Sequence, residues 1–588
     1  MENTALCGVL LFCFLVRIWP ALTRGLELTD YDPCFNYRAT KYLLEHGLLQ
    51  LLSWRDGTVW YPEGRDVWRT LYPGLMVCGC VLRFLLRRVL FIDATLKEAC
   101  VVLPPVFGVL SVHGVYLIGC VLKNRGSGLC AAFLLSCLPG YIDKTLAGRY
   151  DNESVGLCFM IYSIYFWLCG IQRDSVLFPL AAGFFYFLMA VSWGGHVFLL
   201  NLVCVSVLCA MLAGRCGKSI RRRYTVFVLA GHVFFVLVPV LRAKMFRGGV
   251  YVPSLSLLCV LFLKDMRRYS WEAEFVSFVG GVSSPCFSIE RRFAFLWRVF
   301  SREKGALAEY ISENEKASVA SFFVDTTFVG FLWPVCLWVL REDRSEEGVF
   351  VFCYTVCSFW GACMMVRLLC LFSPAVCILC GVAFSRVFSR RRFLCLFSGI
   401  LVFHSVFVTW KFYSRTRMCI AGFDSGGRKV DIKDMKEGLV WLRNSTETGS
   451  RVFAWWEHGY HISEISQRAT YADNSTVDEE RVRKIAEIFL SSEDCAHEEL
   501  RRMQADYVFV VTGRELNIRK DCLGQIETMR ILSGKKTKTS DTLLYRLSSG
   551  STKHFSPCFR SRNGFVRIYG VRDDWAEENQ VCVKRGGC

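Results

Sequence analysis

The chain has 588 residues, of which 53% are hydrophobic and 14% aromatic, and its mean hydropathy is +0.34. This composition excludes an ordinary soluble protein, because apolar runs of span length recur from about residue 5 to residue 407. Much of the net charge of +18 lies in short loops between these runs, where membrane topology explains it without a nucleic-acid partner. Most of the 30 cysteines lie inside apolar runs and behave as small hydrophobic residues, so they do not indicate a disulfide scaffold.

Twelve apolar runs are predicted to cross the membrane as helices. They are Ala5–Leu22, Ala99–Leu122, Gly128–Tyr141, Val155–Gly170, Val176–Val191, His196–Ala213, Thr225–Leu241, Val250–Leu263, Phe328–Leu340, Val349–Val366, Leu368–Phe384 and Phe393–Thr409. The alternation of basic loops places the N-terminus in the cytosol. The same alternation requires a thirteenth span, predicted at Phe275–Ile289. An odd number of spans puts the C-terminal region on the opposite, lumenal side.

A further apolar stretch, Leu71–Phe91, is predicted to lie along the membrane surface. Its three arginines cluster on one side of a helix, as in an interfacial amphipathic helix, and a span here would invert the pattern of basic loops downstream. The stretch belongs to a lumenal loop, predicted over residues 23–98. A second lumenal loop is predicted over residues 290–327.

From residue 417 the long apolar runs stop and short amphipathic periods begin. Helices are predicted at Ile432–Arg443, Asp478–Leu490 and Glu498–Gln504, strands at Arg451–Ala454, Tyr507–Val511, Thr542–Leu547 and Phe565–Val571, and a loop at Ser548–Asn563. We therefore predict a polytopic α-helical membrane domain of about thirteen spans, residues 1–416, followed by a C-terminal lumenal α/β domain, residues 417–588.

Three acidic clusters fall in loops that the predicted topology places on one face of the membrane. They are Asp30 and Asp32, Asp151 and Glu153, and Glu313 and Glu315. One such cluster alone is usually a solvated loop, but three on one face favour a site for a divalent cation. Carboxylate oxygens are the preferred ligands of Mg²⁺ and Mn²⁺, which commonly position a pyrophosphate.

Two other stretches on that face contain residues that are suited to bind a ligand. Arg367 stands between two apolar runs, where an arginine commonly snorkels to the membrane surface but is also suited to clamp a lipid-linked phosphate. The stretch from Trp455 through Trp456 to Glu457 follows a short predicted strand. Its indoles and carboxylate suit a ligand pocket, and they equally suit an ordinary core at the end of a strand.

A series of motifs along the chain resembles the catalytic subunit of eukaryotic oligosaccharyltransferase, in order and approximate spacing. The motifs are Asp32-Pro-Cys-Phe-Asn-Tyr-Arg-Ala-Thr40, Trp60-Tyr-Pro, Tyr72-Pro-Gly-Leu-Met76, Tyr150-Asp-Asn-Glu153, Trp193-Gly-Gly-His, Val366-Arg-Leu, Trp455-Trp-Glu-His-Gly-Tyr and Asp473-Asn-Ser-Thr476. The resemblance runs from about residue 30 to residue 529. It implies a GT-C fold in the endoplasmic reticulum membrane and en bloc transfer of an oligosaccharide from dolichyl pyrophosphate to asparagine in Asn-X-Ser/Thr.

The resemblance also implies a role for each candidate residue. It assigns Asp32 and Glu313 to catalysis, Asp32, Asp151 and Glu153 to binding of Mn²⁺ or Mg²⁺, Arg367 to the donor phosphate, and Trp455, Trp456 and Glu457 to the acceptor Ser/Thr hydroxyl. The implied partners are the dolichyl-pyrophosphate-linked oligosaccharide, acceptor polypeptides, membrane lipid and other oligosaccharyltransferase subunits.

Four positions depart from the family pattern: Glu457 replaces aspartate, His458 replaces tyrosine, Lys144 replaces arginine, and Gly524 or, one residue along, Gln525 stands where a lysine is expected. These departures fit either a divergent active enzyme or a catalytically degenerate paralogue that serves as a scaffold. Another GT-C transferase that uses a lipid-linked sugar is the remaining alternative.

Asn-X-Ser/Thr triplets occur within the chain itself. The triplets that begin at Asn444 and Asn474 are predicted to be lumenal and are therefore opportunities for glycosylation. The triplet at Asn152 lies between two predicted metal ligands, so we expect it to be unmodified.

Overall fold

The computed structural model describes residues 2–213, 217–247, 251–265, 316–341, 343, 345–387, 391–410, 420–423, 429–512 and 519–571. Its first part is helical. The helices are Glu2–Arg24, Tyr31–His46, Leu48–Leu51, Gly74–Arg88, Leu96–Leu122, Arg125–Cys137, Pro139–Asp143, Asn152–Gln172, Leu177–Ser192, His196–Leu212, Lys218–His232, Pro239–Arg247, Val252–Asp265, Val319–Thr326, Trp333–Val339, Glu346–Met364, Leu369–Val387 and Arg391–Val408.

All twelve apolar runs predicted as spans fall on these helices. Six described helices are long and apolar enough to cross a membrane, and a bent pair would make a seventh. Five shorter apolar helices account for the remaining runs. The thirteenth predicted span, Phe275–Ile289, lies outside the described residues, so the total number of spans stays a prediction.

The run predicted as one continuous helix over Thr225–Leu241 is in fact broken. The chain turns through 118° between Leu237 and Pro239. Proline lacks the N–H that would continue the helical hydrogen bonding, so a break at this position is expected. The second half of the pair turns toward Tyr72, whose hydroxyl accepts from the Nζ of Lys244 at 2.7 Å.

The predicted surface helix within Leu71–Phe91 is present as Gly74–Arg88. Its first turns are buried at Leu75 and Met76, whereas Phe84 near its end is 61% exposed. One face of the helix therefore packs against the protein and the other carries exposed apolar side chains, as an amphipathic helix requires. Its position at the membrane surface stays a prediction.

The C-terminal part contains helices and a mixed five-stranded sheet. The main helices are Asp434–Ser445, Glu479–Leu490, Glu493–Arg502, Arg519–Ser533 and Leu543–Ser549. In spatial order the strands are Ala469–Thr470, Arg451–Phe453, Tyr507–Val511, Val566–Gly570 and Ser556–Arg560, and a separate hairpin pairs Ile420–Phe423 with Lys429–Ile432. The predicted boundary at residue 416 lies outside the described residues, so the division into two domains stays a prediction.

Alternate residues of the central strands face two different hydrophobic cores. Tyr507 and Phe509 face the core that includes Leu439 of the helix Asp434–Ser445. Val508 and Val510 face the core built with the other helices. The sheet is therefore covered by helices on both faces, which explains why Tyr507–Val511 is apolar throughout.

Two predictions for this part are wrong. The segment Thr542–Leu547, predicted as a strand, is the helix Leu543–Ser549, whose first turn is capped because the Thr542 hydroxyl accepts from the backbone N–H of Tyr545. The segment predicted as a loop, Ser548–Asn563, contains the edge strand Ser556–Arg560. A proline in that strand is compatible with its position at the edge of the sheet.

The first loop, which we define as residues 47–73, is joined to the C-terminal sheet. The backbone N–H of Thr470 donates to the carbonyl of Thr58 at 2.9 Å, and that of Tyr61 donates to the carbonyl of Thr470 at 3.1 Å. The Nη1 of Arg481 donates to the carbonyl of Trp60 at 3.1 Å. The loop therefore acts as a bridge between the helical part and the C-terminal part.

Candidate functional site

A buried carboxylate at the start of the helix Asn152–Gln172 forms the centre of the site. The Glu153 side chain is only 1% exposed, and two cations contact it. The Nε of Arg367 donates to Oε1 at 2.5 Å, and the Nζ of Lys144 lies 2.7 Å from Oε2. A buried charge requires such pairing, so the structure brings two of the predicted site residues into direct contact.

Asp151 links this centre to the helix that carries Asp32. Its carboxylate caps the following helix by accepting from the backbone N–H of Asn152 at 2.7 Å. The Nδ2 of Asn36 lies 3.4 Å from Asp151 Oδ1 and donates to the Tyr150 carbonyl at 3.0 Å. Asp32 lies four residues before Asn36 and therefore on the same helical face. We call Tyr31–His46 the Asp32 helix; Asp32 itself is exposed.

The surroundings of Asp151 disfavour its charged form. Burial and the negative charge of Glu153 raise the pKa of its carboxyl to about 6, although the charges of Arg367 and Lys144 oppose that shift. The site therefore holds two acids close together, and additional positive charge would stabilise both in the ionised form.

A second ion-pair network holds the loops around this centre. Arg149 binds Asp30 at 2.8 Å and Asp143 at 2.9 Å. Asp30 in turn caps the Asp32 helix by accepting from the backbone N–H of Tyr31 at 2.8 Å. The loop that precedes Asp151 and the start of the Asp32 helix are thereby tied together.

The predicted acceptor residues lie where the strand Arg451–Phe453 ends. Trp455 is 4% exposed and belongs to the core of the C-terminal part, as its position after the strand also predicts. Trp456 and Glu457 are half-buried and form a short 3₁₀ turn with His458. The buried Nε1 of Trp456 has no hydrogen-bond partner within the described residues. This buried donor is therefore unsatisfied by the residues that the structure describes.

Glycine is required directly after this turn. A Cβ on Gly459 would overlap the carbonyl oxygen of Ala472 and would lie 2.6 Å from the Cα of Asp473. The turn therefore packs closely against residues 472–473, and this contact fixes where Glu457 can lie.

The acceptor residues and the acidic centre meet through the Asp32 helix. The rings of Phe35 and Tyr460 stack with their centroids 4.8 Å apart, and those of Tyr31 and His461 lie 4.5 Å apart. Burial raises the pKa of the Tyr460 phenol, and the charge of Asp32 raises it further. The segment that follows Glu457 is therefore packed beside Asp32.

No three His, Cys, Asp or Glu side chains are grouped to hold a metal ion within the part of the chain that the structure describes. Glu313, the remaining predicted catalytic acid, lies outside that part. The metal therefore stays a prediction from the types of residue present.

The prediction from the sequence did not give Asn36 a role or pair Lys144 with Glu153. The sequence does indicate that Asn36 lies at the site, because it follows Asp32 by one helical turn within the same motif. From the sequence, Lys144 is only a replacement for arginine. Its ion pair with Glu153 depends on the fold, which places the two residues together.

One other acid beside the Asp32 helix has an altered affinity for protons. Burial raises the pKa of Glu464 from 4.5 to about 7, although nearby positive charges, Arg38 first among them, oppose the shift. The folded state keeps this proton at pH values where the unfolded chain has lost it. The stabilisation is therefore complete below about pH 4.5 and is lost as the pH rises through 7.

We therefore expect Glu464→Gln to stabilise the protein at pH 8 by roughly 1–3 kcal/mol and to have little effect at pH 5. Thermal unfolding of the purified protein at the two pH values measures this difference. The exposed Glu447→Gln is the matched control. An equal effect of Glu464→Gln at both pH values would show that its protonation is not linked to folding.

The two possible glycosylation sites differ in accessibility. Asn444 is exposed in the last turn of the helix Asp434–Ser445. Asn474 is half-buried, and its Oδ1 is buried without a hydrogen-bond partner within the described residues. The structure therefore favours Asn444.

Comparisons with known proteins agree with the resemblance seen in the motifs. The family described as "Oligosaccharyl transferase STT3, N-terminal" matches residues 21–291. The STT3 subunit of the dolichyl-diphosphooligosaccharide–protein glycosyltransferase of Saccharomyces cerevisiae is 30% identical over 84% of this chain and 76% of its own length. The stt-3 subunit of Caenorhabditis elegans is 27% identical over 95% of this chain and 84% of its own length.

Solved structures share the fold at lower identity. The oligosaccharyltransferase of Archaeoglobus fulgidus superimposes with a TM-score of 0.71 at 15% identity, covering 97% of this chain and 74% of its own. ArnT of Cupriavidus metallidurans bound to undecaprenyl phosphate gives a TM-score of 0.54 at 10% identity, covering 97% and 98%. The described helical part therefore has the fold of GT-C glycosyltransferases.

Proposed function

The chain belongs to the STT3 family of oligosaccharyltransferase subunits, and from this premise we propose how its residues carry out transfer. The enzyme is a dolichyl-diphosphooligosaccharide–protein glycosyltransferase, which moves an oligosaccharide from its dolichol-linked carrier to asparagine in N-glycosylation. One observation supports the proposal. Glu153 contacts both Lys144 and Arg367, and the neighbouring Asp151 is bound by Asn36 of the Asp32 helix.

Asp32, Asp151 and Glu153 are proposed to hold one Mn²⁺ or Mg²⁺ ion. Their carboxylate oxygens suit a hard divalent cation. Glu153 retains acceptor capacity beside its two ion pairs, because an ionised carboxylate has about four lone-pair sites. The buried Oδ1 of Asn152, which has no hydrogen-bond partner in the described ranges, is a further oxygen between two of the acids. Once bound, the ion would neutralise charge that develops on the departing pyrophosphate.

The acceptor asparagine needs activation, because the lone pair of an amide nitrogen is delocalised into its carbonyl group. Asp32 and Glu313 are proposed to accept the two amide hydrogens and to favour a rotated, less conjugated amide. The nitrogen then forms its bond to the anomeric carbon as the bond from that carbon to the pyrophosphate breaks, and one of its protons passes to one of these two carboxylates. Because the attack is in line, an α-linked donor gives a β-linked product.

Arg367 is proposed to bind the donor pyrophosphate. Its side chain is 36% exposed while its Nε is fixed by Glu153, so the guanidinium is oriented and still reachable. A planar guanidinium suits phosphate oxygens, and its charge opposes the negative charge that builds on the leaving group. Lys144 contacts the other carboxylate oxygen of Glu153 and so places a second positive charge beside the carboxylate that Arg367 binds.

Trp455, Trp456 and Glu457 are proposed to read the Ser/Thr hydroxyl of the acceptor. The indole N–H of Trp456 can donate to that hydroxyl, and the carboxylate of Glu457 can accept from it. Trp455 supports the turn from the core. Compared with aspartate, glutamate would shift the carboxylate by about an ångström, which is enough to change the efficiency of transfer.

The protein is a membrane protein of the endoplasmic reticulum. We propose that it has about thirteen spans, a cytosolic N-terminus and a lumenal C-terminal α/β domain, because this arrangement puts the basic loops in the cytosol and the acidic centre in the lumen. Other oligosaccharyltransferase subunits are proposed as partners.

Transfer to three labelled peptides tests the proposed acceptor site. The purified protein, a dolichyl-pyrophosphate chitobiose donor and a divalent cation are combined with peptides that carry Asn-X-Thr, Asn-X-Ser or Asn-X-Ala. We expect product with threonine and serine and none with alanine. We also expect Glu457→Ala to lower kcat/KM for the threonine peptide by roughly 10- to 100-fold. Equal modification of all three peptides would contradict the proposed reading of the hydroxyl.

If the wild-type protein transfers no oligosaccharide to any of the three peptides, one pair of substitutions is tested in the same assay. If Glu457→Asp combined with His458→Tyr restores product, the acceptor pocket has diverged from the family. If the double variant also makes no product with candidate partner subunits present, the chain acts as a scaffold.

The enzyme is also expected to carry a glycan itself, at Asn444 and not at Asn474. In the folded protein, Arg468 donates to the Thr446 hydroxyl of the first triplet at 2.7 Å. Modification of Asn444 is therefore expected during synthesis, before this hydroxyl is engaged. Peptide mass spectrometry after glycosidase treatment of protein made in eukaryotic cells measures occupancy, with Asn444→Gln as the control. Occupancy of Asn474 alone would contradict the structure.

A further inference from the structure

A buried ion pair joins the first loop to the C-terminal part. The Nη1 of Arg65 lies 3.3 Å from Oδ2 of Asp473, and the two side chains are 5% and 0% exposed. The same guanidinium donates to the hydroxyl of Tyr460 at 3.2 Å and to that of Thr70 at 2.8 Å. Three groups, two of them about 400 residues away in sequence, therefore depend on one arginine.

This cluster extends to the Asp32 helix. The guanidinium carbon of Arg65 lies 4.8 Å from the centre of the Phe35 ring, which itself stacks on Tyr460. Phe35 follows Asp32 by three residues, so the two lie on neighbouring positions of one helical face. Movement of Arg65 would therefore disturb a contact that lies one helical turn from Asp32.

The other end of the ion pair supports the acceptor turn. Oδ1 of Asp473 accepts from the backbone N–H of Ser475 at 2.9 Å and from its hydroxyl. Gly459 packs against the backbone of Asp473. Asp473 thus fixes the surface on which the turn that contains Glu457 is seated.

We propose that Arg65 and Asp473 are positioning residues, which hold the acceptor turn around Glu457 at a fixed separation from Asp32. The inference rests on the proposed function, in which the acceptor asparagine lies at Asp32 and its Ser/Thr hydroxyl at Glu457. A peptide that binds at both Asp32 and Glu457 requires a fixed distance between them. A misplacement of about 1 Å can lower the rate of transfer roughly 100-fold.

A positioning role and a purely stabilising role predict different results for a double variant. Removing one partner of a buried ion pair leaves an unpaired charge and destabilises the protein, whereas replacing both partners by neutral groups is often harmless. Arg65→Met alone is therefore expected to lower both Tm and transfer. Combined with Asp473→Asn, it should restore Tm and still leave the acceptor turn without its arginine contacts.

The experiment compares Arg65→Met, Arg65→Lys and the double variant Arg65→Met/Asp473→Asn as full-length purified proteins. Glu27→Gln is the control, because Glu27 and Lys436 form an exposed ion pair between the same two parts of the chain. Steady-state transfer is measured against both substrates, Tm by thermal unfolding, and backbone exchange of residues 456–466 by hydrogen–deuterium mass spectrometry.

For the double variant we expect a Tm near that of wild type, faster exchange across residues 456–466, and kcat/KM for the acceptor at least about tenfold lower, with an unchanged KM for the donor. Arg65→Lys should keep the charge, lose part of the hydrogen bonding and give an intermediate loss of acceptor kcat/KM. Glu27→Gln should match wild type in every measurement.

Recovery of acceptor kcat/KM together with Tm in the double variant would overturn the proposal, as would an equal rise in the donor KM. If wild type transfers nothing, the proposed function fails, and hydrogen exchange alone decides the positioning role: unchanged exchange in the double variant overturns it. If the double variant does not fold, Arg65→Lys decides, and wild-type exchange in that variant overturns the proposal.

Discussion

Replacing Asp32 with alanine is expected to lower transfer by about 1000-fold or more, with little change in thermal stability. The proposed site loses a ligand of the divalent cation and an acceptor for an amide hydrogen in one substitution, and effects of this size are typical when charge stabilisation is lost in an active site. Stability is expected to hold because Asp32 is exposed, and because Asp30 remains to cap the helix. Single-turnover transfer to an Asn-X-Thr peptide measures the loss.

The control for Asp32→Ala lies on the same helix. Glu45 is exposed near its other end, so Glu45→Ala should transfer like wild type. Residual transfer by Asp32→Ala within tenfold of wild type would remove Asp32 from the proposed chemistry.

Replacing Arg367 with glutamine is expected to lower kcat/KM for the lipid-linked donor by roughly 100-fold or more. The substitution removes the charge proposed to bind the pyrophosphate and one of the two cations that contact Glu153. Arg367→Lys should retain part of the activity, since lysine keeps the charge but lacks the planar fork. Steady-state transfer with varied donor and saturating acceptor measures both variants.

Arg341 provides a matched control, because it is an exposed arginine that lies over Trp338 on another part of the surface. Arg341→Gln should leave both substrate constants unchanged. If Arg367→Gln raised only the KM for the acceptor, Arg367 would belong to the acceptor side of the site and not to the donor phosphate.

The helical part of the fold could be predicted because span-length apolar runs leave few alternatives. All twelve runs fall on helical segments, one of them broken at Pro239, and the amphipathic helix Gly74–Arg88 is present where its arginines indicated. The break before Pro239 was missed although proline marks it, because apolar residues continue on both sides. The segment Thr542–Leu547 was misassigned because a short apolar run does not distinguish a strand from a helix.

The residue types at the site could be predicted, but their pairing could not. Asp151, Glu153 and Arg367 were expected to lie near one another, and the structure brings Glu153 into contact with Arg367. The link between Arg65 and Asp473 joins positions 408 residues apart, and no local pattern encodes such a contact. The placement of Tyr460 and His461 against the Asp32 helix likewise depends on the fold as a whole.

Removal and restoration of the divalent cation tests whether Asp32, Asp151 and Glu153 hold a metal ion that transfer requires. The purified protein is treated with EDTA and assayed for transfer from dolichyl-pyrophosphate chitobiose to an Asn-X-Thr peptide, before and after addition of Mn²⁺ or Mg²⁺, beside Glu153→Gln and Asp151→Asn. We expect no transfer with EDTA, recovery with either cation in the wild type, and little recovery in the variants. Full transfer in EDTA, or full recovery in both variants, would contradict this expectation.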